Sequence, residues 1–138
     1  MVKKIPKIKV ILIITMAFTV MGIFMACSSE TLEVDSFTSG EATFIYGSNN
    51  SISKISKEDL ETIKNIIGNK VLYSDNPSCG FSTDVSLRFN DEKTFCIAWD
   101  GCPTLLYKEE NKYLSLNEEE YEELVDILKK YGISFPCV

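Results

Sequence analysis

The sequence predicts an α+β fold, a two-layer sandwich in which an antiparallel sheet carries two helices in the order ββα-β-ββ-ββα. Three observations lead there. A gapless internal repeat runs at an offset of 61 residues, matching Thr43–Ile67 with Thr104–Leu128. Two stretches between the copies alternate apolar and polar residues with the period of a half-buried strand. Each copy ends in an amphipathic helical pattern preceded by an N-capping residue.

The first copy reads TFIYGSNNSISKISKEDLETIKNII and the second TLLYKEENKYLSLNEEEYEELVDIL. Thr43 matches Thr104, Tyr46 matches Tyr107, Asn50 matches Asn111, and Ile66 matches Ile127. The apolar pairs Ile55/Leu116, Leu60/Tyr121, Ile63/Leu124 and Ile67/Leu128 also coincide. This ββα pseudo-repeat implies strand, turn, strand and helix, twice.

Thr43 to Tyr46 is β-branched and aromatic, the composition that fits a pleated surface. Gly47-Ser48-Asn49-Asn50 supplies turn chemistry, and Ser51 to Ile55 returns as a more polar strand. Ser56 is placed as an N-cap, with Asp59 three residues on as a variant capping box. Leu60, Ile63, Ile66 and Ile67 form one apolar stripe, and Gly68-Asn69 stops the helix. Val71-Leu72-Tyr73 is read as a short strand, followed by a loop through Ser82. Val85, Leu87 and Phe89 then alternate with polar residues; Asn90 to Lys93 turns the chain; Phe95, Ile97 and Trp99 alternate again. In the second copy Asn117 is the N-cap, Glu120 sits three residues on, and Tyr121, Leu124, Val125 and Leu128 make the stripe. Five glutamates between Glu118 and Glu123 crowd the helix start while Lys129 and Lys130 end it, the favourable direction for the helix dipole. Gly132 terminates it.

Residues 1–26 have the pattern of a signal peptide. Lys3, Lys4, Lys7 and Lys9 precede an uncharged run from Val10 to Ala26, and Gly22 and Ala26 are small residues near its end. An uncleaved anchor and plain secretion are the rival readings, because the run sits at the short edge of a bilayer span. The stretch Phe24-Met25-Ala26-Cys27 resembles the lipobox of bacterial lipoproteins, with Phe24 departing from the usual aliphatic residue. That resemblance implies cleavage before Cys27 and lipid on it. The chain is thus expected to comprise a signal peptide over 1–26, a flexible Ser- and acid-rich tether over 27–40 and a domain over 41–138. The domain is expected at the extracytoplasmic face of the membrane, held by lipid through Cys27.

The four lysines of the signal have no acidic counterpart, so the remainder holds ten basic and twenty acidic side chains, a formal net of −10. Nucleic acid is excluded as a partner by that sign. A basic protein or peptide is the electrostatically easier partner. Four cysteines remain beyond Cys27: Cys79, Cys96, Cys102 and Cys137. An even number in a short exported chain implies two disulfides. The expected pairing is Cys96–Cys102 with Cys79–Cys137; a tight Asp100-Gly101 hairpin would instead force Cys96 onto Cys79 or Cys137. Zinc is disfavoured by the absence of histidine and of any C-x-x-C pair, so no metal and no cofactor are expected.

No catalytic residues are expected. The chain has no histidine, the commonest general base. No serine sits in G-x-S-x-G or S-x-x-K. A carboxylate pair such as Asp91 and Asp100 is the remaining route to a hydrolase. The candidate binding surface is Trp99, Asp100, Tyr107 and Tyr113, with Tyr46 beside them. The C-terminal stretch, carried by Cys96 through Asp100-Gly101-Cys102-Pro103, then Lys112-Tyr113, Lys130-Tyr131-Gly132 and Phe135-Pro136-Cys137, resembles uncharacterised small lipoproteins of Gram-positive, clostridia-like bacteria. It covers the last third of the chain and the signal, and implies location and fold rather than activity. The functional expectation is a non-catalytic binding or inhibitor module. The alternative is an accessory or sensor subunit of a membrane transporter or regulator, with a carboxylate hydrolase behind both.

Overall fold

A computed structural model describes residues 29–135; the signal-like segment, Cys27 and Cys137 lie outside that range. Six strands and two helices follow in the order β1 (Gly40–Tyr46), β2 (Asn49–Lys54), α1 (Lys57–Ile67), β3 (Phe81–Phe89), β4 (Lys93–Ala98), β5 (Thr104–Tyr107), β6 (Lys112–Ser115) and α2 (Glu118–Lys130). All neighbours pair antiparallel, in the sheet order β2-β1-β3-β4-β5-β6. This is the α+β order the sequence predicts. The short strand expected at Val71–Tyr73 takes the form of two isolated bridges, Val71 with Thr31 and Tyr73 with Tyr113.

The offset of 61 is a structural symmetry. It carries β1, β2 and α1 onto β5, β6 and α2, and the sheet order is symmetric about the central β3–β4 hairpin. The N-caps coincide as well. The Ser56 hydroxyl accepts from the Asp59 N–H at 3.1 Å. Asn117 and Glu120 make a full capping box, each side chain accepting from the other's backbone N–H at 2.9 Å. Ile63 and Leu124, then Ile67 and Leu128, are fully buried at equivalent positions. The helix ends differ. α1 stops at Asn69, which takes φ 57°, whereas α2 closes with Gly132 at φ 81° in a Schellman pattern. There Ile133 N–H reaches the Leu128 carbonyl and Gly132 N–H that of Lys129.

The register sorts the sheet into two faces. Ala42, Phe44, Val85, Leu87, Phe89, Phe95, Ile97, Leu105, Tyr107 and Leu114 share the face under the helices and join their apolar stripes in one buried cluster. The opposite face is partly covered too. Tyr113 lies there with Phe81 at 5.6 Å and Tyr73 at 5.9 Å between ring centroids. The Tyr113 hydroxyl donates to Asn76 Oδ1 at 2.9 Å. Cys96 and Ala98 are buried on this side.

The flexible tether expected over 27–40 is corrected from residue 30 onward. Leu32 and Phe37 are 3% and 1% exposed. Backbone bonds from Leu32 to Lys70 and from Leu72 to Glu30 zip the segment to the chain after α1. Asn90 holds its other end. Its Nδ2 donates to the Ser36 carbonyl at 2.6 Å, and its Oδ1 accepts from the N–H of Thr38 and of Ser39 at 3.0 and 3.2 Å. Asn90 and Asp91 have φ 52° and 60° in the β3–β4 turn, a left-handed geometry that Asn and Asp tolerate and that suits strand twist. The composition of this segment is that of a linker because it buries only isolated apolar residues, each filling one hole.

Phe37 stacks on Phe89 at 4.6 Å between centroids, so Phe37→Ala is expected to destabilise the domain by about 3–5 kcal/mol. Asn90→Gly keeps the left-handed turn and loses only the side-chain bonds, for a smaller cost of about 1–2 kcal/mol. Urea denaturation followed by Trp99 fluorescence measures both. A Phe37→Ala midpoint equal to wild type would mean that residues 30–39 are not part of the folding unit.

Candidate functional site

A concavity of about 760 Å³ runs along the exposed flank of α2. Its wall is apolar: Pro103, Tyr121, Val125 and Phe135. Its rim is carboxylate: Glu118, Glu122 and Asp126, with Lys129 at one end and Gly101 at the other. A second cleft of about 450 Å³ lies on the opposite flank, between the helices, and brings Glu58, Asp59, Glu119 and Glu123 beside Glu122 and Asp126. The ridge of α2 is therefore acidic on both sides.

Both sides carry a paired carboxylate, and on the groove rim Lys129 Nζ donates to Asp126 Oδ1 at 2.8 Å. Asp59 is tied down: Lys130 Nζ donates to Oδ1 at 2.8 Å, and the Tyr131 hydroxyl donates to Oδ2 at 2.6 Å. Those bonds, with the Ser56 hydroxyl, hold its carboxyl below the ordinary range against the opposing effect of burial. Glu120 is lowered in the same direction, first by Lys70 and then by the Asn117 N–H. The groove contains a contrasting group. The Tyr121 hydroxyl is buried without a hydrogen-bond partner among the described residues. Burial, followed by the negative charge of Asp100, pushes its pKa up.

Pseudo-symmetry explains why the groove is open. The offset of 61 returns Gly101, Val125 and Lys129 to Gly40, Lys64 and Gly68. On the first copy these positions are covered. Gly40 is buried, the Lys64 side chain is 15% exposed, and Val34 Cγ2 lies 2.9 Å from where a Gly68 Cβ would stand. The chain's own residues 32–39 run past Gly68 to Gly40. Among the described residues β5 has no such leader, since β4 precedes it, and on the equivalent flank of α2 Phe135 lines a concavity.

The loop between β4 and β5 forms the near wall, and a disulfide fixes it. Cys79 and Cys102 are bonded, with Cα atoms 6.1 Å apart. This corrects the expected Cys96–Cys102 and Cys79–Cys137 pairing. Register places Cys96 opposite Leu106 and buries it on the back face, too far along β4 to reach Cys102 and without a disulfide partner among the described residues. Cys137, like the lipidation candidate Cys27, lies outside the described residues.

The predicted surface of Trp99, Asp100, Tyr107 and Tyr113 is likewise redistributed. Tyr107 is buried and stacks on Phe95 at 4.9 Å, under the helices. Tyr113 is buried on the opposite face. Trp99 is half-buried against Phe44 and Tyr46, with centroids at 6.1 and 5.5 Å. Only Asp100 is exposed, and it faces the disulfide rather than the groove wall: Gly80 N–H and Cys102 N–H donate to its two oxygens at 3.4 and 3.2 Å. Asp91 and Asp100 flank opposite ends of the six-residue β4, about 20 Å of extended chain, which ends the idea of their sharing a cleft. Of the groove wall, Pro103 belongs to the loop Trp99-Asp100-Gly101-Cys102-Pro103 that the sequence offers as a recognition loop, whereas Tyr121 and Val125 read only as part of an apolar helical stripe. The available signal was Tyr121 on an apolar stripe where the first copy has Leu60.

No family model, no curated protein and no solved structure matches this chain.

Two measurements follow from these geometries. In unreduced protein, Cys96 is expected to alkylate only after denaturation, because burial both shields its thiol and raises its pKa. Cys79 and Cys102 should alkylate only after reduction, as read by peptide mass. The second concerns pH. Asp59 has a depressed folded pKa, so its contribution is present above the unfolded value of about 3.9 and is lost as pH falls through the lower folded value. The stability advantage of wild type over Asp59→Asn should therefore be constant above about pH 5 and shrink below about pH 4. A difference independent of pH would sink the assignment of that carboxylate as the clasp between the helices.

Proposed function

We propose that this chain is a membrane-anchored extracytoplasmic lipoprotein whose domain is a non-catalytic binding module, and that the groove beside α2 receives an extended segment of a basic protein or peptide. The observation that carries this reading is the concavity left beside α2, at the position where Val34 of the chain's own leader packs against the Gly68 end of α1. The fold already stabilises itself on one copy by laying an irregular segment there. The other copy offers the same footprint with an apolar wall and a carboxylate rim.

Chemistry narrows the occupant. Pro103, Tyr121, Val125 and Phe135 favour an apolar side chain, whose burial contributes about 25 cal/mol per Å². Glu118, Glu122 and Asp126 favour lysine or arginine beside it, and the net charge of −10 beyond the signal draws such a segment in. The basic start, uncharged run and Cys27 of residues 1–26 and their border support placement at the outer face of the membrane. The Cys79–Cys102 disulfide agrees with an oxidising compartment.

A synthetic peptide alternating leucine and lysine is the probe. Titration calorimetry should show binding that weakens between 50 and 200 mM salt, while the glutamate-for-lysine counterpart does not bind. Combining Glu118→Gln, Glu122→Gln and Asp126→Asn should weaken it about tenfold, the sum of three rim ion pairs. Equal binding by wild type and the triple variant would remove the groove from the reading. Intact mass of membrane-extracted protein tests the anchor: residues 27–138 plus a diacylglyceryl group is the expected species, and an uncleaved, unmodified chain is the contrary one.

A further inference from the structure

We infer that Cys79, Cys102 and Asp100 form a thiol-gated metal site, closed as the disulfide and able to take one soft divalent cation, of which zinc is the type, once reduced. Cysteines and carboxylates are read from a sequence as metal ligands by close spacing. Here the two cysteines are 23 residues apart, and the fold alone brings them together. The two sulfurs and an Asp100 oxygen lie within 4.8 Å of one another. A tetrahedral zinc with Zn–S bonds of about 2.3 Å sets its ligands about 3.5–3.8 Å apart, within reach of that arrangement by side-chain rotation alone. The Cα separation of 6.1 Å leaves room for the sulfurs to part without moving the backbone.

Three further features belong to a site rather than to a chance cluster. The Asp100 carboxylate is oriented by two backbone donors, Gly80 N–H and Cys102 N–H, one from each of the two cysteine-bearing segments. Such supporting bonds aim metal-binding carboxylates. Trp99 N–H also donates to the Gly80 carbonyl at 3.2 Å, so the two segments stay in register independently of the S–S bond. The site is open to ions: Asp100 is exposed and both cysteines are half-buried. Two thiolates and a carboxylate supply three ligands and leave a fourth position for water, and the summed charge of −3 suits a soft dication.

The chemistry balances. A dithiol gives two electrons and two protons to the disulfide, leaving two thiols and becoming a cyclic disulfide itself. The cation then displaces the two thiol protons to solvent as it binds the thiolates. Cys96 takes no part, being buried on the back face of the sheet.

The test is cobalt uptake by the full chain, which reports thiolate ligation through charge-transfer absorption in the near ultraviolet. A phosphine serves as reductant, since it does not compete for the metal as a dithiol would. The expected result is one Co²⁺ per chain, absent before reduction, present after it, and displaced by Zn²⁺. Asp100→Asn should weaken uptake by about tenfold or more, while Cys96→Ser, Cys27→Ser and Cys137→Ser leave it unchanged. Wild-type protein gives a second readout that needs no variant: bound Zn²⁺ should protect Cys79 and Cys102, and no other cysteine, from alkylation mapped by peptide mass. Absence of uptake after reduction, or protection falling on Cys27, Cys96 or Cys137 instead, would overturn the inference.

Discussion

The fold depends on covering one side of a sheet that is broader than its helices. Six strands at about 4.8 Å spacing make a surface some 25 Å wide, whereas two helices at about 10 Å each cover roughly 20 Å. The shortfall lies beside the central β3–β4 hairpin, where Phe89 and Phe95 would meet water. Phe37 stacks on the first and leans on the second, at 4.6 and 6.3 Å between centroids. The segment that delivers it has no secondary structure of its own to hold it. Asn90 takes that role through bonds to Ser36, Thr38 and Ser39, and it can do so because its left-handed turn points the amide back at the chain entering β1. A hairpin turn and a leader segment distant in sequence thereby become one structural element.

That solution breaks the molecular symmetry. Two ββα units flank a central hairpin and match down to their N-caps, yet only the first is preceded by a free segment. Val34 packs against the Gly68 end of α1, whereas the corresponding flank of α2 keeps a concavity lined by Pro103, Tyr121 and Val125. Connectivity contributes to the concavity: a chain that enters the sheet from outside lays a leader beside one unit, whereas the other is entered from β4 and, among the described residues, only the stretch after α2 that carries Phe135 lies beside it. The equivalent tyrosines show the same asymmetry in reverse. Tyr46, beside the turn from β1 into β2, is 52% exposed, while Tyr107 stacks under the helices beside Phe95.

What was legible in the sequence was whatever local chemistry decides. Period-two alternation marked β3 and β4, capping residues marked both helix starts, and the 61-residue offset gave the element order. What was not legible depends on register and on distant contacts. Tyr107 and Tyr113 both look like strand aromatics. Only the β5–β6 pairing, which sets Leu106 opposite Tyr113 and Tyr107 opposite Lys112, sends them to opposite faces and buries each. The cysteine pairing failed for the same reason: Cys96 is near Cys102 in sequence, but its partner across the ladder is Leu106. Leu32 and Phe37 were lost in a polar stretch because two apolar residues without periodicity carry no secondary-structure signal. The acid at the start of α2 and the Pro103 loop were visible one by one, but their meeting with Val125 and Phe135 in one groove depends on tertiary contacts.

The distribution of acid on α2 bears on what that absence is for. Carboxylates in the first turn need no functional explanation, because they complement the helix dipole, and Glu120 also closes the capping box. Glu122, Glu123 and Asp126 lie beyond that turn, and Asp126 stands toward the end where the dipole disfavours negative charge. Comparison with the first copy isolates the difference. Lys57, Thr62 and Asn65 on the covered helix correspond to Glu118, Glu123 and Asp126 on the open one. Helix formation alone would tolerate the first set as well as the second. The open copy has gained negative charge at positions that line its two clefts, while its apolar wall has kept an aromatic residue where the covered copy has Leu60. Selection for solubility alone would place charge anywhere on the exposed surface. On the proposed binding reading, concentrating it around an apolar strip would raise the local attraction for a cation-bearing chain and leave the strip to discriminate by shape.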